Sequence, residues 1–489
     1  MKILLAGYNL DYDLIKELKD KSAAASDITP ETISAAYARI SRSPKSVDEL
    51  RALARSEVDK ARKSNRNIVF DMGHSSVAEH AVFNIDVIGA SRLLIEEIEK
   101  FRLCSYTEKS QRYVLFNKDF VVPEEIKKAG LTSLFMATVG LQNDYYHELY
   151  EKLRPYIFAE NKELAENPAN KALLEGWAKE DARYAIALAT ETQLGMTINA
   201  RNLELMLRRL AAVPLSEAQE YSSKLYAVTK DIAPSLIRYT VATNYDRLTR
   251  ANLKNLATIF IKKYSCSVGV KKSPAVEISF ATPDADIKTA AALLFSTTGF
   301  NYQQCLKLAA GLNPGEKKTL FKTTFAHIES HDAALRELEN IDLQFELVMS
   351  ASCFAQMKRH RMATIISQDY DPGLGVTIPP AVCAIGQQKQ FLAIMQKTQD
   401  AYEQIREKAP LAAPYVLTNA HRKRVLMKVN ARELYHLARL RADGHAQWDI
   451  RQLSEEMLKK AKKVMPLTLM LACGKDGFAA LYKKTFPHS

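Results

Sequence analysis

"GHSSVAEHAVFNIDVIGASRLLIEEIEKFRLCSYTEKSQRY" occupies residues 73–113, and "SHDAALRELENIDLQFELVMSASCFAQMKRHRMATIISQDY" occupies residues 330–370. The two stretches share an order of features. Each has a His near its start, then an acidic or helical entry, then an alternating run, "VFNIDVI" or "IDLQFELV". Strict alternation over such a length is the pattern of a half-buried strand. A Ser-containing helix follows in both and ends in a basic cluster. Further along, "MTINARNLELMLRRL" from Met196 parallels "MKVNARELYHLARLR" from Met427, followed by Ala218-Gln219 and Ala446-Gln447. "KILLAGYN" from Lys2 and "AVEISFAT" at 275–282 read as matching first strands. Several patterns repeated in one order indicate a tandem duplication. We place copy one at 1–243, a basic joining segment at 244–275 and copy two at 276–489. The expected class is α+β, with a small antiparallel sheet and long helices in each copy.

Composition narrows the partners. The 489 residues are 47% hydrophobic and 25% charged, with a formal net charge of +12. That balance suits anionic ligands such as nucleotides and phosphorylated cofactors. No Lys-rich tail, zinc finger or RNA-binding aromatic signature is present, so nucleic acid is not the expected partner. No window is long and apolar enough for a membrane span, and "MKILLAGYNL" does not read as a signal peptide. The cysteines at 104, 266, 305, 353, 383 and 473 form no CxxC pair. Inert thiols in the cytoplasm are the expectation. His327 and His331 stand four apart but show no third ligand, so no metal is expected.

The basic cluster of copy two is Lys358-Arg359-His360-Arg361. Cations at a helix C-terminus gain about 0.3–1 kcal/mol from the dipole, and a structural cap is one reading. The other is an oxyanion clamp, two guanidinium forks flanking a ring that stacks or titrates. "SYTEKSQRY" sets Ser110 and Arg112 two apart, a pair that can hold a phosphate or form a solvated loop. In the helix after Asn430, Leu434, Leu437 and Arg441 share one face. Copy one has Leu210 where Arg441 stands. A cation on an apolar face needs a carboxylate or an anionic ligand. "GHSSVAEH" reads either as a ligand contact or as a capping box with Ser76 at the N-cap and Glu79 at N3.

Together these motifs resemble the flavin-dependent thymidylate synthases, whose signature is Arg-His-Arg followed by a spaced Ser and Arg, with an upstream His-x-Ser-x-x-Glu-His and a downstream Asn-Ala-Arg helix. Copy one keeps His74, Ser76, Glu79, His80, Ser105, Glu108, Ser110, Gln111, Arg112, Tyr113, Asp181-Ala182-Arg183, Asn199 and Arg201. It has Lys100-Phe101-Arg102 in place of the triplet and Glu97 in place of Gln. Copy two keeps Gln356, Arg359, His360, Arg361, Asn430, Arg432, Arg441, His445 and Gln447. It has Asp369 and Asp371 in place of the Ser and Arg, and Pro414 in place of Arg183.

The resemblance implies FAD as cofactor, dUMP as substrate, and NADPH and methylenetetrahydrofolate as co-substrates. It implies flavin contacts from His74, Glu79, Arg359, His360, Arg361, Asn430, Arg432 and His445. It implies nucleotide contacts from Ser110, Arg112, Arg183, Gln356 and Arg441, with Arg361 and Arg441 as catalytic cations. The family is homotetrameric, so a fused chain is expected as a homodimer that rebuilds four copies. Two rivals remain: an enzyme on the same fold that modifies another uracil nucleotide, and a non-catalytic nucleotide- or flavin-binding protein.

Overall fold

The computed structural model describes residues 1–20, 28–40, 43–112, 114–117, 119–264 and 274–487. Tyr113, Cys266 and part of the joining segment lie outside them. Two four-stranded antiparallel sheets carry the architecture. The first contains β1 (Lys2–Tyr8), β2 (Val82–Ser91), β3 (Ser105–Glu108) and β4 (Glu191–Asn199) in the order β1-β2-β4-β3. The second contains β5 (Val276–Ala281), β6 (Asp342–Ser350), β7 (Thr364–Tyr370) and β8 (Arg422–Asn430) in the order β5-β6-β8-β7. The class is α+β, and each half of the chain has built the same sheet.

The alternation seen in the sequence is the alternation of burial. Phe83, Ile85 and Val87 of β2 point into one core, and Leu343, Phe345 and Leu347 of β6 into the other. Registers match as well. Val82 opposes Asn199 and Asp342 opposes Asn430; at the far ends Ser91 opposes Glu191 and Ser350 opposes Arg422. The first strand has one more residue than the second between those points. It is absorbed by a shift between Ile88 and Ala90, where Gly89 adopts φ +73°, a conformation open to glycine but strained for other residues.

Each β2-type strand ends in a serine that caps the following helix. Ser91 Oγ accepts from Leu94 N at 3.0 Å and Ser350 Oγ from Cys353 N at 2.9 Å. Both hydroxyls then donate to a carboxylate, Ser91 to Glu217 and Ser350 to Asp449, each at 2.6 Å. Asn199 and Asn430 cap the helices after β4 and β8, accepting from Asn202 N at 2.9 Å and Glu433 N at 2.8 Å.

The chain packs as two compact units, Met1–Gly269 with Pro380–Thr418, and Val270–Pro379 with Asn419–Ser489. Packing and repeat therefore differ in one segment, since 380–418 belongs to copy two by sequence and to the first unit by contact. Within that unit Gln142 Nε2 donates to Thr398 Oγ1 at 2.8 Å and to Val416 O at 2.9 Å. Leu188 N donates to Leu417 O at 2.7 Å. Tyr415 OH donates to Glu217 Oε2 at 2.6 Å. Most of the described part of the joining segment is a 21-residue helix, Asn244–Tyr264, with no buried residue. No helix among the described residues is long and apolar enough to cross a membrane.

Burial pushes the Glu217 carboxyl above the usual carboxylate range, against the donors Ser91 and Tyr415. Tyr415→Phe removes one of them from a buried acceptor. A loss of about 1–3 kcal/mol in unfolding free energy is expected, read from denaturant titration.

Candidate functional site

The first unit gathers acids and arginines where β3 runs into its loop. Arg112 N donates to Ser110 Oγ at 3.1 Å, and Arg112 Nε forms an ion pair with Glu180 Oε2. Arg183 is buried; burial pulls its guanidinium below its ordinary pKa, Glu180 opposes this, and Arg112 and Arg92 add to it. Ser110, Arg112 and Arg183 are thus brought together, with Glu180 as the acid acting on both arginines. Arg92 Nη1 lies 3.2 Å from Glu108 Oε1.

In the second unit the helix Ala351–Met357 ends just before the basic triplet. Arg359 and Arg361 are exposed, while His360 between them is 3% exposed. His360 Nδ1 lies 3.1 Å from Glu433 Oε1, and Arg441 Nε donates to His360 Nε2 at 3.1 Å. Arginine has no acceptor, so Nε2 must accept and Nδ1 carries the proton donated to Glu433. Arg441 Nη2 also donates to Gln356 O at 3.3 Å. Among the contacts of Arg441 is the His360 imidazole, which is itself oriented by the Glu433 carboxylate. Gln356, His360 and Arg441 therefore meet in one network, to which the sequence did not assign Glu433. Burial pushes the His360 imidazolium below 6.5, reinforced by Arg441 and His436 and opposed by Glu433.

Other expected contacts have local partners. Arg432 Nη1 bonds Glu339 at 2.9 Å and its Nε bonds Ala334 O at 2.7 Å. Arg201 pairs with Glu79 at the corresponding place in copy one. Glu79 and Arg432 thus belong to one repeated brace between a 3₁₀ turn and the Asn-capped helix. The capping box proposed at Ser76 and Glu79 does not form. The turn spans Ser75–His80, its N-cap is His74, and no side-chain cap bond is made. His74 is exposed. Asn430 spends its side-chain oxygen on its own helix. The His445 side chain is 93% exposed and lies 2.8 Å from Asp443. A cleft of about 280 Å³ is lined by Met362, Asn430, Arg432, Glu433, His436 and Arg439.

One signal would have found Glu433. Copy one carries Phe101, Asn202 and Leu210 where copy two carries His360, Glu433 and Arg441, so the three positions changed as a set. Arg441→Leu alone leaves a buried His360 nitrogen without its donor and should cost about 1–3 kcal/mol. The triple variant His360→Phe, Glu433→Asn, Arg441→Leu should recover most of that loss in thermal melts.

A pH test follows from the same network. A depressed histidine pKa means that the unfolded chain binds the proton first as pH falls. His360 thus contributes stability that is present above pH 6.5 and lost progressively below it. The triple variant should show a shallower decline between pH 6.5 and 5, measured by denaturant midpoint.

Comparison with known proteins agrees with the repeat. The family described as "Thymidylate synthase complementing protein" matches residues 25–235 and again 278–467. A UPF0159 protein of Chlamydia muridarum (strain MoPn / Nigg) is 23% identical over 424 residues, covering 84% of this chain and 80% of its own. The flavin-dependent thymidylate synthase of Clostridium tetani (strain Massachusetts / E88) is 31% identical over 215 residues, covering 43% of this chain and 82% of its own. The Helicobacter pylori flavin-dependent thymidylate synthase, solved with FAD and dUMP, aligns with a TM-score of 0.32 at 16% identity over 49% of this chain and all of its own. With both halves matched by one family, the chain belongs to the thymidylate synthase complementing protein family, as a divergent and duplicated member.

Proposed function

We propose that the chain is a flavin-dependent enzyme of uracil nucleotides that transfers a one-carbon unit from methylenetetrahydrofolate to the uracil ring of dUMP, with NADPH as reductant. The observation that carries this reading is the unequal division of the family's motif. The Ser110, Arg112 and Arg183 cluster stands in the first unit, and the Gln356, His360 and Arg441 network stands in the second. In this reading copy one carries the nucleotide-binding motif and copy two the flavin-binding motif. A homodimer would restore four copies.

The residues present suit one end of a flavin dinucleotide. Exposed Arg359 and Arg361 flank a buried, oriented imidazole in the chain, and the cleft lined by Met362, Glu433 and His436 is near the lower limit of ligand sites, roughly 300 Å³. FAD, when bound, would supply hydride chemistry that no side chain provides. In this reading Arg359 and Arg361 bind its charged or polar edge, and His360 holds Arg441 in place. Arg361 and Arg441 set positive charge toward the uracil carbonyls, where electrons accumulate during the reaction. Ser110, Arg112 and Arg183 hold the nucleotide phosphate, which competes with Glu180 for the Arg112 fork.

The purified protein should be yellow, or bind added FAD with micromolar affinity, about −8 kcal/mol. A colourless protein indifferent to FAD in titration ends the flavin reading. Arg112→Ala should weaken dUMP binding by about 1.5–3 kcal/mol, the range for hydrogen bonds to charged groups, and leave FAD in place; Arg361→Ala should do the reverse. The halved motifs, with Asp369 and Asp371 in copy two, also support a second reading, in which another uracil nucleotide is the substrate. Rescue of a thymidine-requiring host distinguishes the two. A non-catalytic binding protein would oxidise no NADPH with either nucleotide.

A further inference from the structure

We propose that Arg92 is a positioning residue for the nucleotide-holding loop of copy one, acting through Glu108; this rests on the reading of that loop as the nucleotide end. Arg92 is 1% exposed and among the largest fully buried side chains. A guanidinium so placed is costly unless paired, and its Nη1 lies 3.2 and 3.4 Å from the two Glu108 oxygens. Glu108 is the last residue of β3, and the loop begins at the next residue. Lys109 N bonds Gln193 O at 2.9 Å, and Arg112 then turns back onto Ser110 and across to Glu180. The Arg92 guanidinium, through Nη1, therefore clamps the strand end from which Ser110 and Arg112 are presented.

Copy two shows that the clamp is not needed to build the strand. Ala351 and Ser367 stand where Arg92 and Glu108 do, yet β7 pairs in the same register. Ile365 opposes Met427 as Tyr106 opposes Met196. The copy that lacks the clamp is also the copy whose loop has Asp369 and Asp371 in place of Ser110 and Arg112. Clamp and loop chemistry were kept together or lost together.

The test transplants the copy-two pair into the full chain. Arg92→Ala with Glu108→Ser should melt close to the parent and bind FAD as the parent does. Its dissociation constant for dUMP, by calorimetry, should rise about tenfold or more, which is about 1.4 kcal/mol. Arg92→Lys, which keeps the charge but not the planar guanidinium or its reach, should fall between the two. Parent-like dUMP affinity in the double variant would make the pair a structural brace and overturn the proposal. If the double variant does not fold, Arg92→Gln with Glu108→Gln, an amide pair of similar shape, is titrated in its place and judged by the same criterion. A parent chain that binds FAD but ignores dUMP would instead overturn the nucleotide reading beneath it.

Discussion

The antiparallel pairing of β2 with β4, repeated as β6 with β8, is the constraint on which the rest depends. Val82 opposes Asn199 and Asp342 opposes Asn430, so the turn entering one strand always lies beside the helix leaving the other. That neighbourhood creates the Glu79–Arg201 and Glu339–Arg432 braces. At the opposite end, Ser91 and Ser350 leave the pair as helix caps and are fixed by Glu217 and Asp449. A slip of one residue would turn every core side chain outward and separate all four contacts. The side chains of the candidate sites hang on this register.

Much of the sheet was legible because period-two alternation reports burial directly. The entry and exit of "VFNIDVI" and "IDLQFELV" mark β2 and β6 within a few residues. The Asn of each Asn-Ala-Arg stretch is a helix cap, which local sequence also encodes. The pairings were less legible. His360 and Glu433 are 73 residues apart, Arg112 and Glu180 are 68 apart, and only packing brings them together. The Ser76 and Glu79 capping box is absent because the turn begins at Ser75 with His74 at its N-cap, and Glu79 pairs instead with Arg201, a cation supplied by tertiary structure. The exchange of segment 380–418 leaves no trace in periodicity, since its helices look alike whichever core they cover.

The duplicated copies diverged in consistent sets. Phe101, Asn202 and Leu210 in one copy stand where His360, Glu433 and Arg441 stand in the other, and Arg92 with Glu108 stands where Ala351 and Ser367 do. Buried polar groups cannot be changed singly without leaving a partner exposed to an apolar interior, so each network was kept or replaced as a whole. The fold tolerated both outcomes because the strands beneath did not depend on either.

The placement of 380–418 bears on the order of events during synthesis. The strands of the first sheet are complete by Asn199, but the unit that contains them also needs Tyr415 for Glu217, and Thr398 and Val416 for Gln142. Those groups leave the ribosome some two hundred residues later, after most of the second sheet has been made. The amino-terminal half must therefore persist with an open flank while its neighbour is translated. A chain of this design carries a long-range closure that can form only late in synthesis, and apolar surface left open in such an interval favours aggregation.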